Sequence, residues 1–143
     1  MEDIFTLTAR EEIEIAIRLL LAAVFGAVVG YERRSADKPA GLRTLSLVAV
    51  GSALFTIIST FGFETADQSR VAAQIVTGVG FLGAGTILRS GVAVSGLTTA
   101  ATIWATAAIG MAVGSGMYIA SASGTALILI ILFLFAPNRN TSE

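Results

Sequence analysis

The chain has no cysteine and no histidine among its 143 residues, and it has only two prolines. Without thiols or imidazoles it cannot form a disulfide, a Cys/His zinc site or a Cys–His catalytic pair. Charged residues are also scarce, at 13%, and nine Lys and Arg face ten Asp and Glu. A net charge of −1 leaves no basic surplus to neutralise a phosphate backbone, so we expect no nucleic-acid partner.

Apolar residues, in contrast, make up 55% of the chain, and the mean hydropathy is +0.82. This composition indicates an integral membrane protein in contact with the lipid bilayer. A chain of 143 residues has room for one domain, so we expect residues 1–143 to form a single transmembrane domain. No nucleophile is paired with a general base, and we expect neither an enzyme nor a bound cofactor.

Five apolar runs approach the roughly 20 residues that a helix needs to cross a bilayer. They predict an all-α fold, a polytopic membrane helix bundle with about five transmembrane helices. The runs cover about residues 13–31, 42–61, 71–88, 97–113 and 117–136. Thr8 and Glu11 have the spacing of a capping box, so helix 1 is predicted to begin before its apolar run. Arg18 follows Glu14 by one helical turn and is expected to pair with it.

The basic residues indicate how the bundle is inserted, because Lys and Arg near span ends are retained in the cytoplasm. With five spans, one side carries Arg33, Arg34, Lys38, Arg43, Arg89 and Arg139. The other side carries three arginines together with most of the acidic residues. We therefore expect the N-terminus outside and the C-terminus in the cytoplasm.

An internal repeat is suggested by a shift of 55 residues along the chain. The aligned pairs are Gly30 with Gly85, Arg34 with Arg89, Ser35 with Ser90, Gly41 with Gly96, Leu42 with Leu97, and Thr44 with Thr99. Two spans separate the copies, so both would have the same membrane orientation, as in parallel repeats. Coincidence in a chain rich in small residues is the alternative. A true repeat predicts two packed helical hairpins and a fifth helix.

The same basic residues surround the predicted starts of helices 2 and 4. Backbone N–H groups and the positive end of the helix dipole favour anions there, so a phosphate, a lipid headgroup or an acidic segment could bind. The candidates for this anion site are Arg33, Arg34, Lys38, Arg43 and Arg89. The alternative is that these residues only set the topology. Thr98 and Thr99 are interpreted as caps of helix 4.

Glycines recur at helical spacing within the apolar runs. Gly78 to Gly83 match the G-x-G-x-x-G pattern, but no strand is predicted before them and no acidic residue follows until Glu143, which excludes the dinucleotide interpretation. Small residues instead let helices approach closely in a membrane. The helix-packing candidates are Gly26, Gly30, Gly78, Gly80, Gly83, Gly85, Gly110 and Gly114.

Two polar residues, Gln74 and Asp67, lie in or just before the predicted helix 3. Gln74 is a side-chain amide inside an apolar run and should face a partner or a cavity. Asp67 is interpreted as the N-cap of helix 3, with Arg70 one turn later as its ion-pair partner. Alternatively, Asp67 and Glu64 offer carboxylates to Mg2+ at the outer surface. We favour the structural interpretation and expect no dedicated metal site.

Three segments together resemble the MgtC/SapB family. Residues 38–44 read KPAGLRT, residues 72–85 read AAQIVTGVGFLGAG, and residues 96–104 read GLTTAATIW. The likeness covers the chain from about Gly26 to Tyr118. Mapped onto this sequence, the family signature falls on Glu32, Arg33, Arg43, Asp67, Arg70, Gln74, Thr98, Thr99 and Trp104.

The resemblance implies a prokaryotic inner-membrane protein associated with adaptation to low Mg2+ and, in pathogens, with survival inside macrophages. It further implies that the protein binds and restrains the F-type ATP synthase, with Mg2+ as a signal or ligand. Three features differ from the family pattern: Gln68 stands where proline is frequent, Ala105 stands where some virulence-associated members have cysteine, and we expect a short form without the ACT-like C-terminal domain. These differences weaken the expectation of a virulence role.

Two functions of different classes follow. The first is a regulator that docks another membrane complex, such as the membrane subunits of the ATP synthase, through its glycine-rich helices. The second is an oligomeric transporter or channel for Mg2+ or a small solute. The lack of acidic residues from Gln68 to Ser142 favours the first, and duplicated hairpins would favour the second. In either case we expect a homo-oligomer, with a dimer favoured.

Overall fold

A computed structural model describes residues 7–62 and 67–136, with the backbone but not the side chain of Gln68. Within these ranges the chain forms five helices and one short β-hairpin between the third and fourth helices. The elements are α1 (Ala9–Ser35), α2 (Leu42–Phe61), α3 (Gln68–Ala84), β1 (Leu88–Ser90), β2 (Ala93–Ser95), α4 (Leu97–Gly114) and α5 (Tyr118–Leu134).

The five predicted helices are confirmed, and their ends lie within a few residues of the apolar runs. By length and composition, α1, α2 and α4 qualify as membrane-spanning helices, whereas α5 is a shorter apolar helix. Crossing of the bilayer by α3 and α5 stays a prediction. The hairpin was not predicted: α3 ends at Ala84, and the residues that follow pair as antiparallel strands, with Leu88 opposite Ser95.

The start of α1 is fixed by the predicted capping box. The Thr8 hydroxyl accepts a hydrogen bond from the Glu11 backbone N–H at 3.3 Å, and the Thr8 N–H donates to the Glu11 carboxylate at 2.8 Å. These bonds satisfy N–H groups that have no partner within the helix. The capping prediction is therefore confirmed.

The start of α4 differs from the prediction. Its N-cap is Gly96, in the left-handed region at a φ of +85°, and no side chain caps it. Thr98 and Thr99 lie inside the first turn, so their interpretation as caps was wrong. The reason is the hairpin, which returns the chain so close to the end of α3 that a Cβ built on Gly96 would lie 1.9 Å from the Thr86 carbonyl oxygen.

The centre of the bundle is α2, which packs against α1 on one side and α4 on the other. The buried side chains along this contact are mostly small, and Ala22, Ala49 and Ala53 have no exposed surface. With no hydrophobic effect to drive helices together in lipid, close packing of small residues supplies the contact instead. The helices α3 and α5 lie at the edges of this three-helix core.

Four glycines bring the backbones of α1 and α4 onto α2. A Cβ at Gly26 or at Gly30 would lie 2.6 Å from backbone atoms of α2, and a Cβ at Gly114 would lie 2.7 Å from the Ala53 carbonyl oxygen. The closest approach is at Gly110, where the distance to the Ala49 carbonyl oxygen would be 2.2 Å. No side chain fits at these positions, so these glycines are in contact within the chain and cannot dock a partner.

Several threonine hydroxyls in the helices bond back to their own helix. Thr102 donates to the Thr98 carbonyl at 2.7 Å, Thr106 to the Thr102 carbonyl at 2.8 Å, and Thr77 to the Ala73 carbonyl at 3.1 Å. Such bonds satisfy a hydroxyl in an apolar medium without a second helix. These threonines therefore do not hold the helices together.

The proposed repeat stays a prediction. Gly41 and Gly96, its aligned members, each directly precede a helix. Their backbones differ, because Gly41 is extended at a φ of −96° and Gly96 is left-handed at +85°. The connection before Gly41 is a turn, whereas the one before Gly96 is the β-hairpin.

We predict that Gly110→Ala destabilises the protein whereas Gly124→Ala does not. The added methyl at position 110 would meet the Ala49 carbonyl oxygen, and overpacking of this kind costs on the order of 1–3 kcal/mol. Gly124 in α5 has open space around its Cβ position and is the matched control. Thermal unfolding in detergent micelles measures the difference, and equal midpoints for the two variants would contradict the close α2–α4 contact.

Candidate functional site

One side of α3 faces away from the bundle and carries the polar side chains of Arg70, Gln74 and Thr77. The helix packs on α4 and α2 through Ile75, Val79 and Gly83, which are buried. The opposite side is exposed. We call this surface the α3 face; its residues are Arg70, Ala73, Gln74, Thr77, Gly78 and Phe81.

Within the described ranges, the Gln74 amide at the centre of the α3 face has no hydrogen-bond partner. Gly78 lies one turn along the helix from it, and apart from the backbone of its own helix no described atom lies within 4 Å of its Cβ position; the same is true of Gly80. Gly83 differs, with Ala100 on α4 at 3.4 Å, and Gly85 touches only its own helix end. The glycines of α3 therefore divide into a packed one and two that face outward.

This division changes how the predicted glycine-rich faces are interpreted. Gly26, Gly30, Gly110 and Gly114 fit against α2, so a docking surface on α1 and α4 made from them is excluded. Gly78 and Gly80 keep open space. A partner helix could approach the backbone of α3 there, where only hydrogen atoms stand between them.

Asp67 caps the N-terminus of α3, as predicted. Its carboxylate accepts hydrogen bonds from the Ser69 hydroxyl at 2.6 Å and the Ser69 N–H at 2.9 Å. These bonds, first the one from the hydroxyl and then the one from the backbone, lower the pKa of Asp67. In the described ranges Asp67 and Arg70 form no ion pair, so that expectation was wrong: the carboxylate bonds Ser69 instead.

The Mg2+ site suggested at this end stays a prediction. Glu64 lies outside the described residues. Among those that the structure does describe, no three acidic, histidine or cysteine side chains come together as a metal site would require. Asp67 is exposed and engaged as a cap, which is the structural role that the sequence favoured.

The opposite end of the bundle gathers the residues proposed as an anion site. We call it the basic end; its basic residues are Arg33, Arg34, Lys38, Arg43 and Arg89. The first of them is not available to a ligand. Arg33 is 5% exposed, and its guanidinium donates two bonds to Glu32, at 2.5 and 2.7 Å. The prediction that Arg33 belongs to the anion site was therefore wrong, because the adjacent Glu32 carboxylate already neutralises its charge.

The other four basic residues are exposed. Arg89 donates from Nε to the Gly91 carbonyl at 3.1 Å inside the hairpin. Arg34, Lys38 and Arg43 surround the turn between α1 and α2. The N-caps of α2 and α4 are glycines, so no side chain caps the first backbone N–H groups of these helices. An anion site at a helix start would use such N–H groups. Binding of an anion here stays a prediction.

A cleft that the sequence did not reveal opens at the basic end. It has a volume of about 250 Å³ and lies between the start of α2, the end of α3 and α4. Its lining residues are Pro39, Ala40, Thr44, Val48, Leu82, Thr86 and Ile103. These residues come from three separate segments, so no single motif predicts the cleft, although each of the three family-like segments contributes to it.

Arg18 links three helices at the end opposite the basic end. It pairs with Glu14 at 2.5 Å, as predicted, and it also donates from Nη1 to the carbonyl of Gly114 at 2.6 Å. That carbonyl ends α4, so the arginine both satisfies a free helix-end group and complements the negative end of the dipole. Gly116, in the left-handed region at a φ of +77°, brings the α4–α5 turn against the same guanidinium.

Together these features define the class: a small helical membrane protein with an exposed polar helix face and a basic end, and with no catalytic arrangement among its described side chains. The MgtC family profile matches residues 19–141, and the chain belongs to that family. This confirms the resemblance inferred from the sequence motifs. No solved structure is significantly similar to it.

The chain is similar to several curated proteins. It is 51% identical over 130 residues to YhiD of Escherichia coli, and the alignment covers 85% of this chain and 60% of YhiD. The name of YhiD proposes a magnesium transporter. It is 45% identical over 116 residues to MgtC of Brucella abortus, covering 81% and 49%, and 47% identical over 113 residues to MgtC of Salmonella typhimurium, covering 79% and 48%. The chain thus spans half to three-fifths of these relatives. They are named as magnesium-related or MgtC proteins and not as enzymes.

We predict that Arg18→Met lowers stability by about 1–3 kcal/mol, since the Gly114 carbonyl loses its donor and Glu14 loses its cation. Methionine keeps most of the apolar stem, so lost packing contributes little. Arg10→Met, at an exposed arginine of the same helix, is the control and should have no effect. Thermal unfolding in micelles measures both. Equal midpoints for wild type and Arg18→Met would show that the link between α1 and α4 does not stabilise the bundle.

The cap of α3 should weaken in acid. Because the folded state lowers the pKa of Asp67, its carboxylate stabilises the helix start above the unfolded pKa, and this stabilisation is lost as the pH falls through the folded pKa. Hydrogen-exchange protection of the first turn of α3 should therefore be greater at pH 7 than at pH 3. Asp67→Ala should reduce protection at pH 7 and make it insensitive to pH in this range, because alanine has no oxygen to accept the Ser69 bonds. Unchanged protection in the variant would contradict the capping role.

Proposed function

We propose that this protein acts in adaptation to Mg2+ limitation by docking another membrane complex through the α3 face. The family membership and the names of the relatives support the magnesium connection. The observation that carries the docking role is Gln74, an exposed amide without a hydrogen-bond partner in the described chain, next to the open position at Gly78.

The hydrocarbon region of a bilayer offers no hydrogen-bond partner to a polar side chain. An amide in the hydrocarbon region has no water to bond with, so a polar side chain on a membrane helix favours a protein neighbour. Gly78 allows that neighbour to come close, and interhelical bonds from such side chains add about 0.6–2 kcal/mol each. The α3 face therefore combines one specific polar contact with a surface that a second helix can approach.

The partner that we propose is a membrane subunit of the F-type ATP synthase, as the family resemblance implies. The chain would lie in the prokaryotic inner membrane with its N-terminus outside and its C-terminus in the cytoplasm. A docked helix would restrain the synthase by limiting movement in its membrane sector. A second copy of this chain is the competing occupant, because an amide both donates and accepts and can pair with itself across a two-fold axis.

Transport of Mg2+ is the second candidate, and the name of YhiD favours it. The arrangement of the described helices gives it less support. The core around α2 is closed by backbone contacts, and the Thr102 and Thr106 hydroxyls are engaged by their own helix. A conducting path would have to lie between subunits and be lined by carbonyls or hydroxyls, since the acidic residues of the described helices occur only near the two ends of α1.

We expect Gly78→Leu and Gln74→Leu to abolish the effect of this protein on ATP-driven proton pumping in inverted membrane vesicles. Leucine at position 78 blocks the approach of a helix, and leucine at position 74 removes the amide. Gly124→Leu on α5 is the matched control, because its Cβ position is also open. Pumping should fall when wild type or Gly124→Leu is present and stay high with either α3 variant.

Two results would contradict the proposal. One is restraint of pumping by Gly78→Leu and Gln74→Leu as strong as that of wild type. The other is saturable Mg2+ flux into liposomes that contain only the purified protein and a Mg2+-sensitive dye, which would establish the transporter instead. Membrane insertion of every variant is checked first, so that loss of protein is not mistaken for loss of docking.

The occupant of the α3 face can be identified by crosslinking, because the chain has no native cysteine. Single cysteines at positions 74 and 78 face outward, and one at position 79 faces the bundle as a control. Oxidation in membranes should join positions 74 and 78, but not 79, to a partner. A product of twice the chain mass identifies a second copy, and bifunctional reagents that capture an ATP synthase subunit identify the proposed partner.

A further inference from the structure

The cleft at the basic end is suited to hydrocarbon. Its lining includes the apolar residues Pro39, Ala40, Val48, Leu82 and Ile103, and no ionisable side chain lines it. A cleft of this chemistry offers no ligands for a metal ion and no charged group to orient a polar metabolite. It lies where three helix segments meet, near the ends of those helices and not at their middle.

Two hydroxyls are the only side-chain polar groups that line the cleft. Thr86 donates to the Gly83 carbonyl at 2.8 Å and is engaged within the chain. Thr44, in the first turn of α2, is exposed, and its hydroxyl has no hydrogen bond in the part of the chain that the structure describes. A ligand whose apolar part fills the cleft could thus meet one free hydroxyl at the mouth.

The rim of the cleft is positively charged. Lys38 directly precedes Pro39, and Arg43 directly precedes Thr44, so both basic residues flank lining residues. Both are exposed, and neither takes part in an ion pair within the described ranges. The acidic residues of the same turn do not cancel them: Glu32 is bonded to Arg33, and Asp37 stands alone against three exposed cations.

From this combination we infer a binding site for an anionic phospholipid, with an acyl chain in the cleft and the phosphate between Lys38 and Arg43. An apolar slot beneath a cationic rim fits the two halves of a phospholipid, and basic pockets between membrane helices bind such headgroups. The Thr44 hydroxyl is placed to bond the headgroup or ester oxygens. The buried Glu32–Arg33 pair contributes no net charge and is not part of the site.

This site is independent of the α3 face. It lies at the end of α3 and the start of α2, whereas Gln74 and Gly78 point away from the bundle at mid-helix. A lipid at the basic end would bridge three segments that otherwise meet around an open cleft, and so would stabilise the arrangement of α3 on the core. Failure of the docking proposal would leave the lipid site standing, and the reverse also holds.

The test is a lipid titration of the purified full chain in detergent micelles, followed by native mass spectrometry. The probes are phosphatidylglycerol and phosphatidylcholine with identical acyl chains. We expect phosphatidylglycerol to bind about 25-fold more tightly, since each of the two basic residues contributes on the order of a fivefold gain at the membrane surface. The Lys38→Gln and Arg43→Gln double variant should bind the two lipids equally, whereas Arg10→Gln at the other end should behave as wild type.

The acyl chain is tested separately from the headgroup. Leu82→Trp fills the cleft from its exposed edge and should lower binding of both lipids, whereas Leu88→Trp, outside the cleft, should not. Glycerol phosphate at millimolar concentration should fail to displace phosphatidylglycerol. Thermal unfolding confirms that the variants fold. If Leu82→Trp does not fold, the Lys38→Gln and Arg43→Gln double variant, whose two positions are exposed, still tests the site.

Three results would overturn the inference. Equal binding of the two lipids by wild type would remove the headgroup site, and full retention by both the double variant and Leu82→Trp would place the lipid elsewhere. Displacement of phosphatidylglycerol by glycerol phosphate would show that the basic end recognises free phosphate and that the cleft is not occupied by an acyl chain.

Discussion

The contact of two helix backbones with α2 is the constraint on which the rest of the structure depends. At Gly110 the carbonyl of Ala49 comes so near that even a methyl group would not fit, and Gly26, Gly30 and Gly114 make comparable approaches. In a bilayer, where apolar surface gains nothing from leaving the solvent, such backbone contacts replace the hydrophobic core of a soluble domain. They fix α1, α2 and α4 as a rigid unit and so decide which surfaces are left for function.

The remaining helices take their roles from their positions at the edge of that unit. α3 buries one side on the core and exposes Gln74 and Gly78, which no other described residue covers. At its end, the short hairpin turns the chain back to α4, and the end of α3 lines a cleft against the start of α2. At the other end of the bundle, Arg18 ties α1 to the last carbonyl of α4. The two proposed binding surfaces are thus separate consequences of one packing arrangement.

The charged and polar residues show why a site is harder to predict than a fold. The local pairs, Thr8 with Glu11 and Glu14 with Arg18, were predictable, because helical spacing alone brings them together. The availability of Arg33 was not, since its burial and its bonds to Glu32 depend on how the turn after α1 folds back. Thr98 and Thr99 were assigned as caps because the β-hairpin, whose strands are three residues each, left no periodic signal.

The sequence by itself determined that this is an all-α membrane protein with five helices, where those helices begin and end to within a few residues, and that it belongs to the MgtC family. The length of an apolar run, the capping residues and the order of motifs are local properties, so each can be read directly from the sequence. Only the tertiary structure decided which glycines are buried against α2 and which face outward, and that residues of three distant segments enclose a cleft. Those outcomes depend on the rotation of each helix about its axis, which glycine spacing alone leaves open because small residues recur on several sides of every helix.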